Sequence, residues 1–278
     1  MEKLKRALIT GLNGFTGRYV ASELQRTGYD VYGTGVTSSD LPKYFQVDLL
    51  DKSALEDVVR EVQPAVVVHL AAIAFVGHGG ANDFYQVNVI GTRNLLESLA
   101  LHAKSLEAVL LVSSANVYGN STEGVLAENT PANPANDYAA SKLAMEYMAK
   151  LWLGKLPLFF VRPFNYTGVG QSEDFLIPKI IAHFRRKAPF IELGNLDVWR
   201  DFSDVRVVAD MYRRLLEVKP LGHTVNVCSG NTYALHQVLA IAEKISGHSI
   251  EVRVNPMFVR TNEVKALCGD VSYLRSFI

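Results

Sequence analysis

Little in this chain is given over to cross-links, net charge or long apolar runs. Only two of the 278 residues are cysteines, Cys228 and Cys268. Two thiols cannot build a disulfide framework, and neither has a second Cys or a His at metal-ligand spacing, so no metal is expected. Lys plus Arg number 28 and Asp plus Glu number 28, giving a formal net charge of zero. A balanced chain is not drawn as a whole to nucleic acid or an anionic membrane, though it can still hold local anion sites. No apolar run approaches the ~18 residues that span a bilayer, and the apolar start at Ala7 to Thr10 runs into glycines, unlike a signal peptide. These absences point to a soluble, cytoplasmic protein with neither a nucleic-acid nor a membrane partner.

What is present is alternation. Short β-rich runs at Lys5 to Thr10, Asp30 to Thr37, Val66 to Ala71, Ala108 to Ser113 and Leu158 to Arg162 are separated by helical patterns. Those patterns cover Phe15 to Arg26, Leu55 to Val62, Gly91 to Ala103 and Tyr138 to Leu151. Such order predicts an α/β fold, a doubly wound parallel sheet covered on both faces. After Pro163 the regularity weakens. Residues 1–163 with 204–228 read as one domain, and 164–203 with 229–278 as a smaller discontinuous lobe.

Gly11-Leu12-Asn13-Gly14-Phe15-Thr16-Gly17 lies between the first strand and first helix. Glycines there permit a tight turn, close approach of backbone to a pyrophosphate and close helix packing, with the phosphates on the helix N-terminus. By itself the pattern is also that of a plain βα turn. Its G-x-x-G-x-x-G spacing resembles the extended short-chain dehydrogenase/reductase family, whose fold is Rossmann-like. Other segments are similar in the same order: Asp48-Leu49 as the adenine contact, Leu70-Ala71-Ala72 beside the cofactor ribose, and Asn88 at the following helix entry. The resemblance also implies cofactor contacts at Val112, Pro163 and Phe164, and a cofactor of the nicotinamide dinucleotide type. No carboxylate precedes Asp40 after the second strand, and the hydroxyls of Thr37 and its serine neighbours can donate to a 2′-phosphate, so NADP(H) is favoured over NAD(H).

Tyr138 and Lys142 are four residues apart and share a helix face. A nearby ammonium favours the phenolate, so Tyr138 is expected to titrate below its usual value and to serve as acid or base. Ser114 resembles the family's substrate-orienting serine, and Lys142 its holder of the cofactor ribose. The family's sugar-nucleotide dehydratases carry acids directly after that serine, and its epimerase-reductases a Cys; here stand Ala115 and Asn116. Hydride transfer at a ketone is the chemistry left.

Arg162 to Gln171, Gly194 to Phe202, Val225 to Gly230 and Arg260 to Val264 resemble segments of the family's GDP-4-keto-6-deoxymannose reductases, with Tyr166 replacing a His and Val169 a Pro. The resemblance implies a GDP-sugar substrate, with Arg200 and Arg260 on the diphosphate, Glu263 on the ribose, Leu193 to Asn195 by the base, and Asn165 and Lys179 as further contacts. A surface ion pair with Asp201 is the alternative for Arg200. The implied activity is C4 reduction to a GDP-6-deoxyhexose in deoxysugar synthesis. The readings weighed against it are an NAD-dependent 4-epimerase, a 4,6-dehydratase and a non-catalytic nucleotide sensor. His78, in the Gly-rich loop Phe75 to Asp83 that should lie near the sugar, is a candidate to test, with a solvent-facing loop as the favoured reading. The resemblance implies a homodimer that pairs the apolar faces Leu95 to Leu99 and Met145 to Leu151, with core packing against the sheet as the alternative for some of these residues, and a closing helical segment after Ile278.

Overall fold

The computed structural model describes residues 4–74, 80–119, 124–259 and 265–278. Its larger sheet has seven strands: β1 (Arg6–Thr10), β2 (Asp30–Gly35), β3 (Tyr44–Gln46), β4 (Val66–His69), β5 (Ala108–Val112), β6 (Leu158–Pro163) and β7 (Thr224–Val227). All pair in parallel, in the order β7-β6-β5-β4-β1-β2-β3. The direction of strand addition reverses between β1 and β4. That reversal opens a crevice beyond their carboxyl ends, where Thr10 lies opposite both Thr34 and His69.

Helices α1 (Phe15–Arg26), α2 (Lys52–Val62), α3 (Thr92–His102), α4 (Asp137–Lys150) and α5 (Val205–Val218) cover the two faces. One core gathers Val20 and Leu24 of α1 with Val208, Tyr212 and Leu215 of α5; the other gathers Leu55, Val59, Leu95, Leu99 and Met145. Strands β4, β5 and β6 are buried at every position, as strands covered on both faces must be. The expected Rossmann-like sheet is therefore observed.

Some boundaries differ. The second strand stops at Gly35, because Val36 and Thr37 turn out to solvent. The second helix starts at Lys52, earlier than its apolar periodicity suggests, because Asp51 caps it by accepting the Ala54 N–H at 3.0 Å. A π-helical turn, Gln86–Gly91, precedes α3. The expected pairing face also changes: Leu95, Leu96, Leu99 and Met145 are fully buried against the sheet and α2, so they cannot meet a second copy. The apolar side chains these helices leave exposed are Leu101, Tyr147 and, just beyond α4, Leu151.

A second, five-stranded sheet is organised around Trp199–Asp204, paired with Thr232–Ala234, Ala266–Gly269 and Asn165–Thr167, with Val125–Leu126 at its edge. Asp201 staples it. This fully buried carboxylate accepts from the Ser229 hydroxyl (2.6 Å), the Ser229 N–H (2.9 Å) and the Gly230 N–H (2.9 Å). Phe190–Leu193 pairs with Glu251–Val254 as a separate ribbon, backed by helices Leu176–Arg185 and Leu235–Ser246. No helix among the described residues is long and apolar enough to cross a membrane.

Candidate active site

The glycine turn is shaped by what its glycines leave open. Gly11 sits at φ +76°, where a Cβ would lie 3.0 Å from the Ala71 nitrogen, and a Cβ on Gly17 would lie 2.3 Å from the Gly11 carbonyl oxygen. The Gly11 and Leu12 N–H groups both donate to the Thr34 carbonyl, at 2.7 and 3.1 Å, anchoring the turn to β2. Gly14 caps α1 without a side-chain acceptor, and the first turn of α1 holds no acid. Its helix N-terminus is thus free of competing negative charge, a cradle that fits a pyrophosphate. Phe15 stacks on Tyr166 with ring centroids 6.2 Å apart, and the Thr16 and Tyr166 hydroxyls share a hydrogen bond of 2.9 Å. Asn13 donates to the Thr37 hydroxyl at 2.7 Å, and Tyr44 to the Thr37 carbonyl at 2.6 Å, which fixes the exposed Thr37 at the rim. Asp48 is exposed, whereas the Leu49 side chain is buried beside Gly91.

Across the crevice, the Leu70 N–H donates to the Thr10 carbonyl and the Ala71 N–H to the Thr10 hydroxyl, each at 3.2 Å; Ala72 follows, half-buried. That hydroxyl therefore turns its own proton to His69 Nδ1 at 2.7 Å, and His69 Nε2 donates to Thr92 at 2.8 Å. Burial, aided by the Lys142 charge, pushes His69 down to about 3, so the ring is neutral. Asn88 is buried too. Its amide clasps both backbone groups of Ile73 and donates to Ser141, whose hydroxyl bonds the Tyr138 carbonyl. Asn88 thus ties the segment after β4 to α4 through protein contacts.

Ser114, Tyr138 and Lys142 are all at most 8% exposed and converge at the carboxyl end of β5. Ser114 caps the short helix Ala115–Tyr118 by accepting the Asn116 N–H, and its hydroxyl lies near enough to Tyr138 to favour the phenolate. Lys142 donates to the Val112 carbonyl at 2.8 Å. Burial pushes Tyr138 up to about 12, only partly offset by Ser114, and pulls Lys142 down to about 8, opposed by Glu146. The expected lowering of Tyr138 is thereby corrected: in this dry seat desolvation outweighs any help from the ammonium. A phenol held neutral is a proton donor across the physiological range. Among the described residues, the hydroxyl of Ser113, next to Ser114, and the amide nitrogen of Asn165, two residues beyond the end of β6, are buried without a hydrogen-bond partner. Unmet polar groups of this kind suit a site completed by a ligand.

The predicted substrate residues are more dispersed. Pro163 ends β6; the Phe164 ring is buried against Tyr118, and its N–H bonds the Val227 carbonyl. Lys179 lies 4.5 Å over the Phe258 ring and donates to the Glu192 carbonyl. The Leu193 side chain belongs to the small core, so it is Gly194 and the exposed Asn195 that face outward. Arg200 is half-buried, while its neighbour Asp201 points into the sheet and bonds Ser229 and Gly230. Asp201 is therefore not the partner of Arg200 in a surface ion pair. His78, Arg260 and Glu263 lie outside the described residues.

A sequence profile of the NAD dependent epimerase/dehydratase family matches residues 7–228. The chain belongs to that family. It is an enzyme, an oxidoreductase built around a nicotinamide dinucleotide. Among curated relatives, GDP-6-deoxy-D-talose 4-dehydrogenase of Aggregatibacter actinomycetemcomitans is 34% identical, over 97% of this chain and 90% of that protein. GDP-6-deoxy-D-mannose reductase of Pseudomonas aeruginosa is 32% identical, over 96% and 88%. Among solved structures, a protein of Burkholderia cenocepacia J2315 with the provisional name of an epimerase is 52% identical (TM-score 0.93, covering 99% and 91%). RMD from Pseudomonas aeruginosa, complexed with NADPH, is 30% identical (TM-score 0.85, covering 98% and 92%).

Proposed function

We propose that this enzyme reduces the C4 ketone of a GDP-4-keto-6-deoxyhexose, of which GDP-4-keto-6-deoxymannose is the leading candidate, with NADPH. The observation that carries the reading is the buried, neutral Tyr138 beside Ser114, which is followed by two positions, Ala115 and Asn116, that cannot exchange a proton. The cysteines add no second acid or base, since burial raises the Cys228 and Cys268 thiols. Ser114 orients the ketone oxygen and Tyr138 gives it a proton. Lys142 holds the ribose of the cofactor and, as a cation, eases loss of the phenolic proton. A reduced nicotinamide dinucleotide, when bound, supplies the hydride.

Arg200, with Arg260, grips the diphosphate through paired donors, and Glu263 accepts from the ribose diol. Lys179 and the Gly194 to Asn195 turn serve the base, and Asn165 the sugar side. The hydroxyls of Thr37, Ser38 and Ser39, with no carboxylate among them, favour the 2′-phosphate of NADPH. The enzyme works in the cytoplasm as a homodimer that joins Leu101, Tyr147 and Leu151 of two copies. The 52% identical structure with its provisional epimerase name favours a second reading, a 4-epimerase that retains NAD. A thermal-shift panel of GDP-, UDP- and dTDP-sugars with NADPH or NADH tests the assignment, because a ligand that binds only the folded chain raises its apparent stability. Stabilisation by GDP-sugars and NADPH is expected; stabilisation by UDP-sugars alone would overturn the choice of nucleotide.

A further inference from the structure

Helix α4 repeats its chemistry every fourth residue, with Tyr138, Lys142 and then Glu146 stacked on one buried face. Glu146 is fully buried and grips Arg162 with both oxygens, Nε to Oε1 at 2.9 Å and Nη2 to Oε2 at 2.7 Å. Arg162, itself 6% exposed near the end of β6, also donates to the Tyr118 hydroxyl at 3.0 Å and the Glu128 carbonyl at 3.3 Å. Tyr118 in turn donates to Asn226 of β7 at 2.7 Å. One guanidinium thus ties together the catalytic helix, the segment that follows Ser114, and two strands of the sheet.

A buried ion pair is a poor source of stability compared with apolar packing, so its presence under the catalytic residues calls for another use. Lys142 supplies one. The ionisable groups that act on it or lie a turn away are Tyr138 and Glu146 on its own helix and His69 from β4. Tyr138 and His69 are neutral, which leaves Glu146 as the negative group. We propose that Glu146 is a positioning residue that keeps the Lys142 ammonium charged in its buried seat, with Arg162 holding the Glu146 carboxylate in the orientation that does so. Burial already brings Lys142 down to about 8, so little further loss is needed to neutralise it at physiological pH. The catalytic consequence rests on the role given to Lys142 above; its charge state does not.

The test is a titration of the ligand-free full chain carrying 13C-labelled lysine, with the Lys142 signal assigned by its loss in Lys142→Met. In Glu146→Gln the Lys142 midpoint should fall by about one pH unit, which lowers its charged fraction roughly threefold at about pH 7.5. Arg162→Lys, which offers a point charge in place of the fork, should move it less. If Glu146→Gln does not fold, Glu146→Gln/Arg162→Met replaces the pair by neutral side chains and should give a smaller shift of the same sign. An unchanged Lys142 midpoint in whichever of the two Glu146→Gln variants folds would overturn the proposal. Because no substrate or cofactor is present, a failed reductase assay would count against the proposed function and leave this result standing.

Discussion

In the larger sheet, β4, β5 and β6 are buried at every position, whereas in the small ribbon Phe190–Leu193 buries alternate residues and Glu251–Val254 has no buried residue. The larger sheet gathers two apolar cores and presents its carboxyl edge as a rigid rim. Ser114, Tyr138 and Lys142 stand at that rim, dry enough that burial pushes Tyr138 up to about 12 and brings Lys142 down to about 8. The smaller sheets are short and depend on polar staples such as Asp201. With the helix and turn beside them they carry Arg200, Lys179 and Asn195 in half-exposed or exposed places, suited to gripping a ligand that arrives from water. The proposed function assigns chemistry to the first region and recognition to the second.

Four perturbations sharpen or break this division. The largest effect is expected from Tyr138→Phe, which should lower turnover roughly 100- to 10,000-fold while nucleotide-sugar binding, followed by calorimetry, persists. Loss of binding with turnover intact would reverse the roles of the two regions. Gly17→Val places side-chain carbons against the Gly11 and Leu12 carbonyls and should cost about 3 kcal/mol in urea unfolding together with cofactor affinity. Asp201→Asn, at the staple of the second sheet, should cost roughly 1 to 3 kcal/mol and weaken sugar-nucleotide binding without affecting the cofactor.

The fourth concerns His69, whose affinity for protons is lowered in the fold. Below its unfolded value near ~6.5 the unfolded chain takes up the proton and the folded one does not, so stability falls with pH until about 3. The His69 contribution approaches ~1.4 kcal/mol per pH unit. His69→Asn should remove that part of the slope, as read by urea midpoints across the acid range.

The larger sheet was legible because a strand covered on both faces must be an unbroken apolar run, as PAVVVHLAA and AVLLVSS are. The glycine turn and the Tyr-Lys pair were legible because each chemistry demands its residue types at fixed spacing. Other features were not. The strand end at Gly35 depends on where Val36 and Thr37 meet solvent. The protonation state of Tyr138 is set by burial, which spacing does not report. His69 finds Thr10 and Thr92 from 59 and 23 residues away, and Glu146 finds Arg162 across 16. A charged residue one turn beyond Lys142 reads in sequence as solvated; only packing reveals it as buried. In the smaller sheets, strands of three to six residues left mainly the family-like segments as a guide.

The most direct measurement follows the absorbance of reduced nicotinamide as the purified protein meets NADPH and GDP-4-keto-6-deoxymannose, and then assays the denatured protein for released NAD. The account predicts one NADPH oxidised for each sugar reduced and no NAD retained. Isomerisation of the sugar nucleotide with no net oxidation, and NAD released in proportion to protein, would contradict it.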